Sequence, residues 1–226
     1  SILLAACSVD EGNISGTITN AKDGQWLFLE KLTLNDIEKV DSCQIKDESF
    51  SFNYKANYIN FYRISESDKN YGLIAIQDKD TIVFNADISS LVNFQASGSK
   101  EVEGNTQLLE IINSIKPKTD SLKIIYQKSV GTVEESIVLE RIRKRYDSII
   151  LKQKEDLKRF IDENTNLFIN LITLQQLGDV SEYFNYYEKV SSNLDSLYPN
   201  NFWINDIKEK VLSEKNTAIG AQAPNF

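Results

Sequence analysis

Hydrophobic and polar positions alternate along the first hundred residues, and the alternation is broken at short intervals by turn residues. Ile14–Thr19 reads as a strand by its period of two. Asn20–Gly24 follows as a turn, and its Asp23-Gly24 step is a hairpin signal. Gln25–Lys31 and Ile37–Ile45 read as the second and third strands, and Lys46-Asp47-Glu48 as the next turn. In Ser49–Tyr54 the aromatic residues Phe50, Phe52 and Tyr54 share one face. Ile59–Ile64 is a further strand. Tyr71–Gln77 and Thr81–Asn85 flank Asp78-Lys79-Asp80, which reads as a second hairpin, and Val92–Ala96 closes the series. Short strands at roughly ten-residue spacing predict an antiparallel sandwich or barrel.

The period changes after Gly98. Gly104-Asn105-Thr106 opens a run with Leu108, Leu109, Ile111, Ile112 and Ile115 at helical spacing, and Pro117 ends it. Asp120–Val130 predicts a second helix, and Gly131 breaks the chain. Thr132 and Glu135 have the spacing of a capping box for a long helix reaching about Asn164. About 30 helical residues give roughly 45 Å of rod. Its predicted buried stripe is Ile142, Tyr146, Ile149, Ile150, Leu157, Phe160 and Ile161, with Glu140–Lys144 and Glu155–Arg159 as i,i+4 pairs on the wet face. Asn166–Leu177, stopped by Gly178, predicts another helix. A helix capped by Ser181 then buries Tyr183, Phe184, Tyr187, Val190, Leu194 and Leu197. After the turn Tyr198–Asn201, Phe202–Ser213 is the last helix, with Trp203, Ile207 and Val211 inward. The fold class expected is α+β, an antiparallel β domain over residues 13–100 followed by a helical domain over 101–216, with a tether at 1–12 and a distinct tail at 217–226.

Composition narrows the chemistry. The 226 residues carry 25 basic and 33 acidic side chains, a net charge of −8, with the basic residues spread among acidic ones. A nucleic-acid partner is therefore not expected, since phosphate backbones need a basic face. There is no His, so a His-based triad or His-rich metal site is excluded. The two Cys, at 7 and 43, form no Cys-x-x-Cys pair. No catalytic, metal or cofactor-binding residue is nominated, and no cofactor is expected. Cys43 lies within a strand and reads as a small core residue. Trp26, Phe28, Tyr54, Tyr58, Phe61, Tyr62 and Tyr71 have the makings of an aromatic platform for a glycan, but alternating aromatics are read here as core and cross-strand pairs. Arg141, Arg143, Lys144 and Arg145 are the one basic concentration, read as a solvated helix face rather than an anionic-lipid contact.

The two ends carry resemblances. Leu4-Ala5-Ala6-Cys7 follows a short apolar run and resembles the bacterial lipobox, in which small residues give a peptidase access to the bond before the Cys. That resemblance implies lipidation at Cys7. Several acyl chains there would anchor the chain to a membrane where one would not. Ser8 after the Cys, with no Asp there, resembles lipoproteins held at the outer membrane facing the periplasm, and Asp10-Glu11 leaves surface exposure open. At the other end Ile219-Gly220 and Ala223-Pro224-Asn225-Phe226 resemble the opening of a thioredoxin-like domain of the peroxiredoxin and thiol:disulfide-interchange type. Between them, Gly16-Thr17-Ile18, Leu27–Lys31, Val40-Asp41-Ser42, Ser49–Phe52, Phe61–Ile64, Asp80-Thr81-Ile82 and Ala96–Ser99 occur in an order similar to the N-terminal β domain, of unknown function, that precedes thioredoxin-like domains in envelope lipoproteins of some Gram-negative bacteria. Cys43 departs from that pattern, where a small residue such as Ala or Thr is expected. The resemblance implies the accessory front portion of an extracytoplasmic thiol:disulfide oxidoreductase. Its protein disulfide substrates would be met by a domain beyond residue 226, and a homodimer is left open. Two alternatives stand beside it: an envelope lipoprotein that binds a protein or glycan through its β domain, and the front half of a peroxiredoxin-like lipoprotein.

Overall fold

The computed structural model describes residues 14–54, 56–66, 72–77 and 81–217. Eight strands precede six helices: β1 Ile14–Thr19, β2 Trp26–Leu32, β3 Ile37–Gln44, β4 Ser49–Phe52, β5 Asn60–Glu66, β6 Gly72–Gln77, β7 Ile82–Asp87 and β8 Ser90–Ser97, then α1 Lys100–Asn113, α2 Lys116–Ser129, α3 Glu135–Glu163, α4 Asn170–Leu177, α5 Phe184–Leu197 and α6 Phe202–Thr217. The chain divides into two compact units between Glu103 and Gly104. The α+β class expected from the sequence is the one found.

The strands form two four-stranded sheets, ordered β4-β1-β7-β8 and β3-β2-β5-β6. Alternation explains the layering. Ile14 and Ile18 of β1, Leu27 and Leu29 of β2, Phe50 and Phe52 of β4, and Ile82 and Phe84 of β7 are buried in one core, with Tyr62 and Ile64 of β5. Their neighbours along each strand point the other way. Phe50 and Phe52 meet edge to face at 5.7 Å, as do Tyr54 and Tyr62 at 5.6 Å. This is a sandwich, with one departure from an antiparallel one. β1 pairs antiparallel with β4 on one side and parallel with β7 on the other, in register from Ile14↔Ile82 to Thr19↔Asp87.

Both sequence-predicted hairpins are corrected by this topology. A turn does form at Asp23-Gly24, with Gly24 at φ +81°, but β1 and β2 lie in different sheets. The turn carries the chain across the core instead of folding it back on one sheet. β6 and β7 are likewise in different sheets, and Asp78-Lys79-Asp80 lies outside the described residues. The consecutive antiparallel pairs are β2–β3, β5–β6 and β7–β8.

Gly16 sits where β1 is flanked on both sides. A Cβ there would lie 1.6 Å from the Phe84 carbonyl oxygen. At the far end of the same parallel pair, the Asp87 carboxylate collects donors from the Ser89 hydroxyl and backbone N–H and from Asn20 Nδ2. Ile88 N–H adds a bond to the Thr19 carbonyl at 3.1 Å.

The helices begin and end differently from several expectations. α1 starts at Lys100, capped by Ser99, whose hydroxyl accepts the Val102 N–H at 3.2 Å. Gly104 is thus inside the helix, and a Cβ there would lie 2.5 Å from Leu167 Cδ1. Pro117 sits in the first turn of α2, where its missing N–H is no loss. The reciprocal capping box of α3 is not formed. The Thr132 hydroxyl donates to the Ser129 carbonyl at 2.7 Å, and the Glu135 carboxylate accepts from Gly131 N–H at 2.8 Å, so both side chains serve the turn. Ser181 does not cap α5, whose N-cap is Tyr183. α4 begins at Asn170 rather than Asn166, after turns through Asn164–Ile169 in which Asn170 Nδ2 donates to the Asn164 carbonyl at 2.7 Å.

In the helical unit, Leu157, Phe160 and Ile161 of α3 are buried as expected, with Phe168, Leu174, Leu177, Tyr187, Leu194 and Ile204. The Tyr187 hydroxyl donates to the Gly178 carbonyl at 2.8 Å, which satisfies the end of α4. The expected stripe fails at its N-terminal half. Ile142, Ile149 and Ile150 are only half-buried against α2, and Tyr146 is exposed, as is Leu197 on α5. Glu155 does not form the expected pair with Arg159; Arg159 Nη1 lies 3.4 Å from Asp156 instead. Among the described residues no helix is long and apolar enough to cross a membrane.

Two predictions follow from the parallel pair. Gly16→Ala should destabilise the β unit by about 3 kcal/mol or more, because backbone would have to move; thermal unfolding of the variant checks this, and an unchanged midpoint would contradict it. Asp87 is held down to about 2 from an ordinary 3.8 by its donors, Ser89 first. A carboxyl lowered in the folded state contributes stability above its ordinary value and loses it as pH falls through the folded one. Carboxyl-carbon NMR should therefore show Asp87 ionised below pH 3, and Asp87→Asn should flatten the acid limb of the stability profile between those two values.

Candidate functional site

The outward face of the β3-β2-β5-β6 sheet carries a set of interacting polar and aromatic side chains. Because Leu27 and Leu29 enter the core, Trp26, Phe28 and Glu30 share the opposite face. The Trp26 and Phe28 rings are nearly parallel, 10° apart with centroids 6.4 Å apart. Trp26 is 46% exposed. Lys39, from the neighbouring β3, places Nζ 3.3 Å from the Phe28 ring centroid, a cation–π contact. The next position along is polar and less exposed. Glu30 Oε2 is 2.7 Å from both Nε and Nη2 of Arg63 on β5, and the Ser65 hydroxyl donates to the same oxygen at 3.0 Å. With side chains only 14–15% exposed, removing either partner would leave a largely buried charge unpaired. It ties β2 to β5 beneath the aromatic strip.

The platform weighed from the sequence does not assemble. Tyr62 is buried and packs on Tyr54 in the core, so neither joins Trp26 on the surface. Tyr58 is exposed, but its partner is Lys31, with Nζ 5.1 Å from the ring centroid. Tyr71 lies outside the described residues.

Cys43 pairs with Leu27 across β2 and β3 and packs against the core. Burial pushes its thiol up from 9.0 to about 11, partly opposed by the Ser51 backbone. A thiol of that kind is a poor nucleophile near neutral pH. Cys7, the expected lipidation site, and the tail Ile219–Phe226 lie outside the described residues. No cluster of three or more metal-ligating side chains occurs among the described residues. The basic concentration Arg141, Arg143, Lys144 and Arg145 is exposed along α3, where Lys144 pairs with Glu140 at 2.8 Å.

The Glu30–Arg63–Ser65 cluster was missed by sequence reading. Alternation places Glu30 beside Trp26 and Phe28, but its partners on β5 follow only from the strand register.

Residues 13–105 match the family model described as Domain of unknown function (DUF4369). That span covers the β unit and the start of α1, less than half of the chain. No curated protein and no solved structure matches the chain. The ordered strand signatures read from the sequence fall inside the matched span.

The elevated Cys43 thiol gives a direct test. In a Cys7→Ser background, a disulfide dye should label folded chain slowly at pH 8 and rapidly only above about pH 10 or in denaturant. Fast stoichiometric labelling of native protein at pH 8 would contradict the raised thiol of this partly buried residue.

Proposed function

We propose that this chain is the membrane-tethered accessory portion of an extracytoplasmic thiol:disulfide oxidoreductase lipoprotein. On this reading Cys7 carries the acyl anchor. The β and helical units then hold a thioredoxin-like domain, which begins at the tail Ile219–Phe226, at a distance from the membrane.

The observation that carries the reading is the DUF4369 match over residues 13–105, the span that holds the strand signatures resembling the N-terminal domain of such lipoproteins. The helical unit runs from there to Thr217, directly before the tail that resembles a thioredoxin-like opening. Cys43 is consistent with a supporting role, since its raised thiol is unsuited to attack on a disulfide sulfur.

Membrane fractionation and an insulin-reduction assay test the two halves of the proposal. Cys7→Ser should move the chain from the carbonate-washed membrane fraction to the soluble one. The 226-residue chain alone should give no insulin turnover, and the protein extended past Phe226 should give it. A Cys7→Ser chain that resists the carbonate wash would remove the anchor from the reading. Turnover by the 226-residue chain, or none by the extended protein, would remove the accessory role.

A further inference from the structure

The α2–α3 hairpin differs in charge from the rest of the chain. Residues 115–152 hold nine basic and five acidic side chains, against 25 and 33 in the whole. Elsewhere in the helical unit cations are matched across helices. Lys189 meets Asp162 at 2.7 Å, Lys154 meets Glu182 at 3.4 Å, Lys208 meets Asp195 at 2.7 Å and Lys215 meets Glu188. Among the described residues no such pair joins α2 to α3, and Arg141, Arg143 and Arg145 make no ion pair.

Helical spacing sorts these charges. Lys118, Ser121, Ile125 and Lys128 follow i, i+3, i+7 and i+10 along one flank of α2, and Arg141, Arg145, Ser148 and Lys152 follow i, i+4, i+7 and i+11 along one flank of α3. The two flanks face the same groove. A cavity of about 520 Å³ is lined by Pro117, Lys118, Ser121, Arg145 and Ser148, with Leu122 and Ile149 as its apolar lining. Neither row contains a carboxylate among the residues named, and the one carboxylate partner is at the far end of the α3 row, where Lys152 meets Asp156 at 3.0 Å. At the tip of the hairpin, Val130 and Ile137 are more than half exposed and Val133 is fully exposed.

We propose that this groove and tip dock the hairpin on an anionic phospholipid surface, with a headgroup phosphate between Lys118 and Arg145 and hydrogen-bonded by Ser121 and Ser148. Two cations and two hydroxyls above apolar side chains suit a phosphate that carries a hydrocarbon stem. A lipid interface takes basic rows and an apolar tip together. Each row runs about 15 Å along its helix, so the contact lies along the surface and does not penetrate it. The inference does not depend on acylation at Cys7.

The test is co-sedimentation of the Cys7→Ser chain, which has no acyl group, with vesicles of phosphatidylglycerol and phosphatidylcholine and with vesicles of phosphatidylcholine alone. At about 0.1 M salt the chain should partition at least roughly tenfold more strongly to the anionic vesicles, and less so as salt rises. Lys118→Glu with Arg145→Glu should cut that binding by about tenfold or more. Lys123→Glu with Arg143→Glu makes the same charge change on the opposite flanks and should leave most of it, circular dichroism confirming that both variants are folded. Equal losses from the two pairs would overturn the groove. Displacement from vesicles by millimolar inorganic phosphate would assign the groove to a free phosphate group and overturn the lipid reading. So would absence of binding to anionic vesicles, including the case where the chain self-associates instead.

Discussion

The parallel pairing of β1 with β7 is the constraint on which the β unit depends. β1 is an interior strand, hydrogen-bonded to β4 on one side and β7 on the other, and its inward residues Ile14 and Ile18 are fully buried. Gly16 lies between them on the same face, opposite Phe84, where the Phe84 carbonyl leaves no room for a side chain. A parallel pair cannot be closed by a tight turn. Here the connection from β1 to β7 runs through the five strands β2 to β6, so the pairing joins residues 68 apart in the chain. Stability gained from such non-local contacts arrives after the loop entropy has been spent. The Asp87 turn, tied to Thr19 and Asn20 by hydrogen bonds and to the core by the partly buried Ile88, fixes the far end of that pair.

The same constraint explains which parts of the fold were legible. Alternation located all eight strands, and the burial of Phe50, Phe52, Tyr62 and Ile64 follows from it. It did not reveal which strands pair. A turn such as Asp23-Gly24 reverses the chain whether the next strand lies beside the first or across the core from it. β1 and β2 would show the same alternation in either case, because each buries one face. Only the register distinguishes the two, and register depends on β7, more than sixty residues away. The Glu30–Arg63–Ser65 cluster was hidden for the same reason. Its members are a polar residue on one strand and two on another, and they become a site only when β2 and β5 are neighbours.

Helical periodicity has a different blind spot. It says which residues share a face, not whether anything covers that face. The stripe of α3 is continuous in sequence, from Ile142 to Ile161. Its C-terminal part, Leu157, Phe160 and Ile161, is buried, while its N-terminal part, which meets α2, is half-buried or exposed. A two-helix contact cannot enclose a stripe as several helices do, and the half-buried Ile149 and exposed Tyr146 record the difference. The capping box failed on a similar point. Thr132 and Glu135 have the right spacing, but Gly131 at φ +77° makes so tight a turn that their side chains are used to close it.

Charge follows packing in the helical unit. The cross-helix pairs joining α3, α5 and α6 are partly exposed, and each is worth only about 0–1 kcal/mol. They do not hold the helices together; the buried leucines and aromatics do. What they accomplish is to leave no excess of positive charge where the surface is crowded. On the α2–α3 hairpin the basic rows are neutralised only at the end of the α3 row, where Lys152 meets Asp156 at 3.0 Å, and repulsion among the remaining cations works against the small apolar contact between the helices. A chain whose net charge is −8 has ample carboxylates with which to offset nine cations, yet only five of its 33 lie in the hairpin segment. Segregation of that kind weakens the hairpin in isolation and is relieved by an anion, so the groove lined by Lys118 and Arg145 is where a negatively charged surface would add most to the stability of this part of the fold.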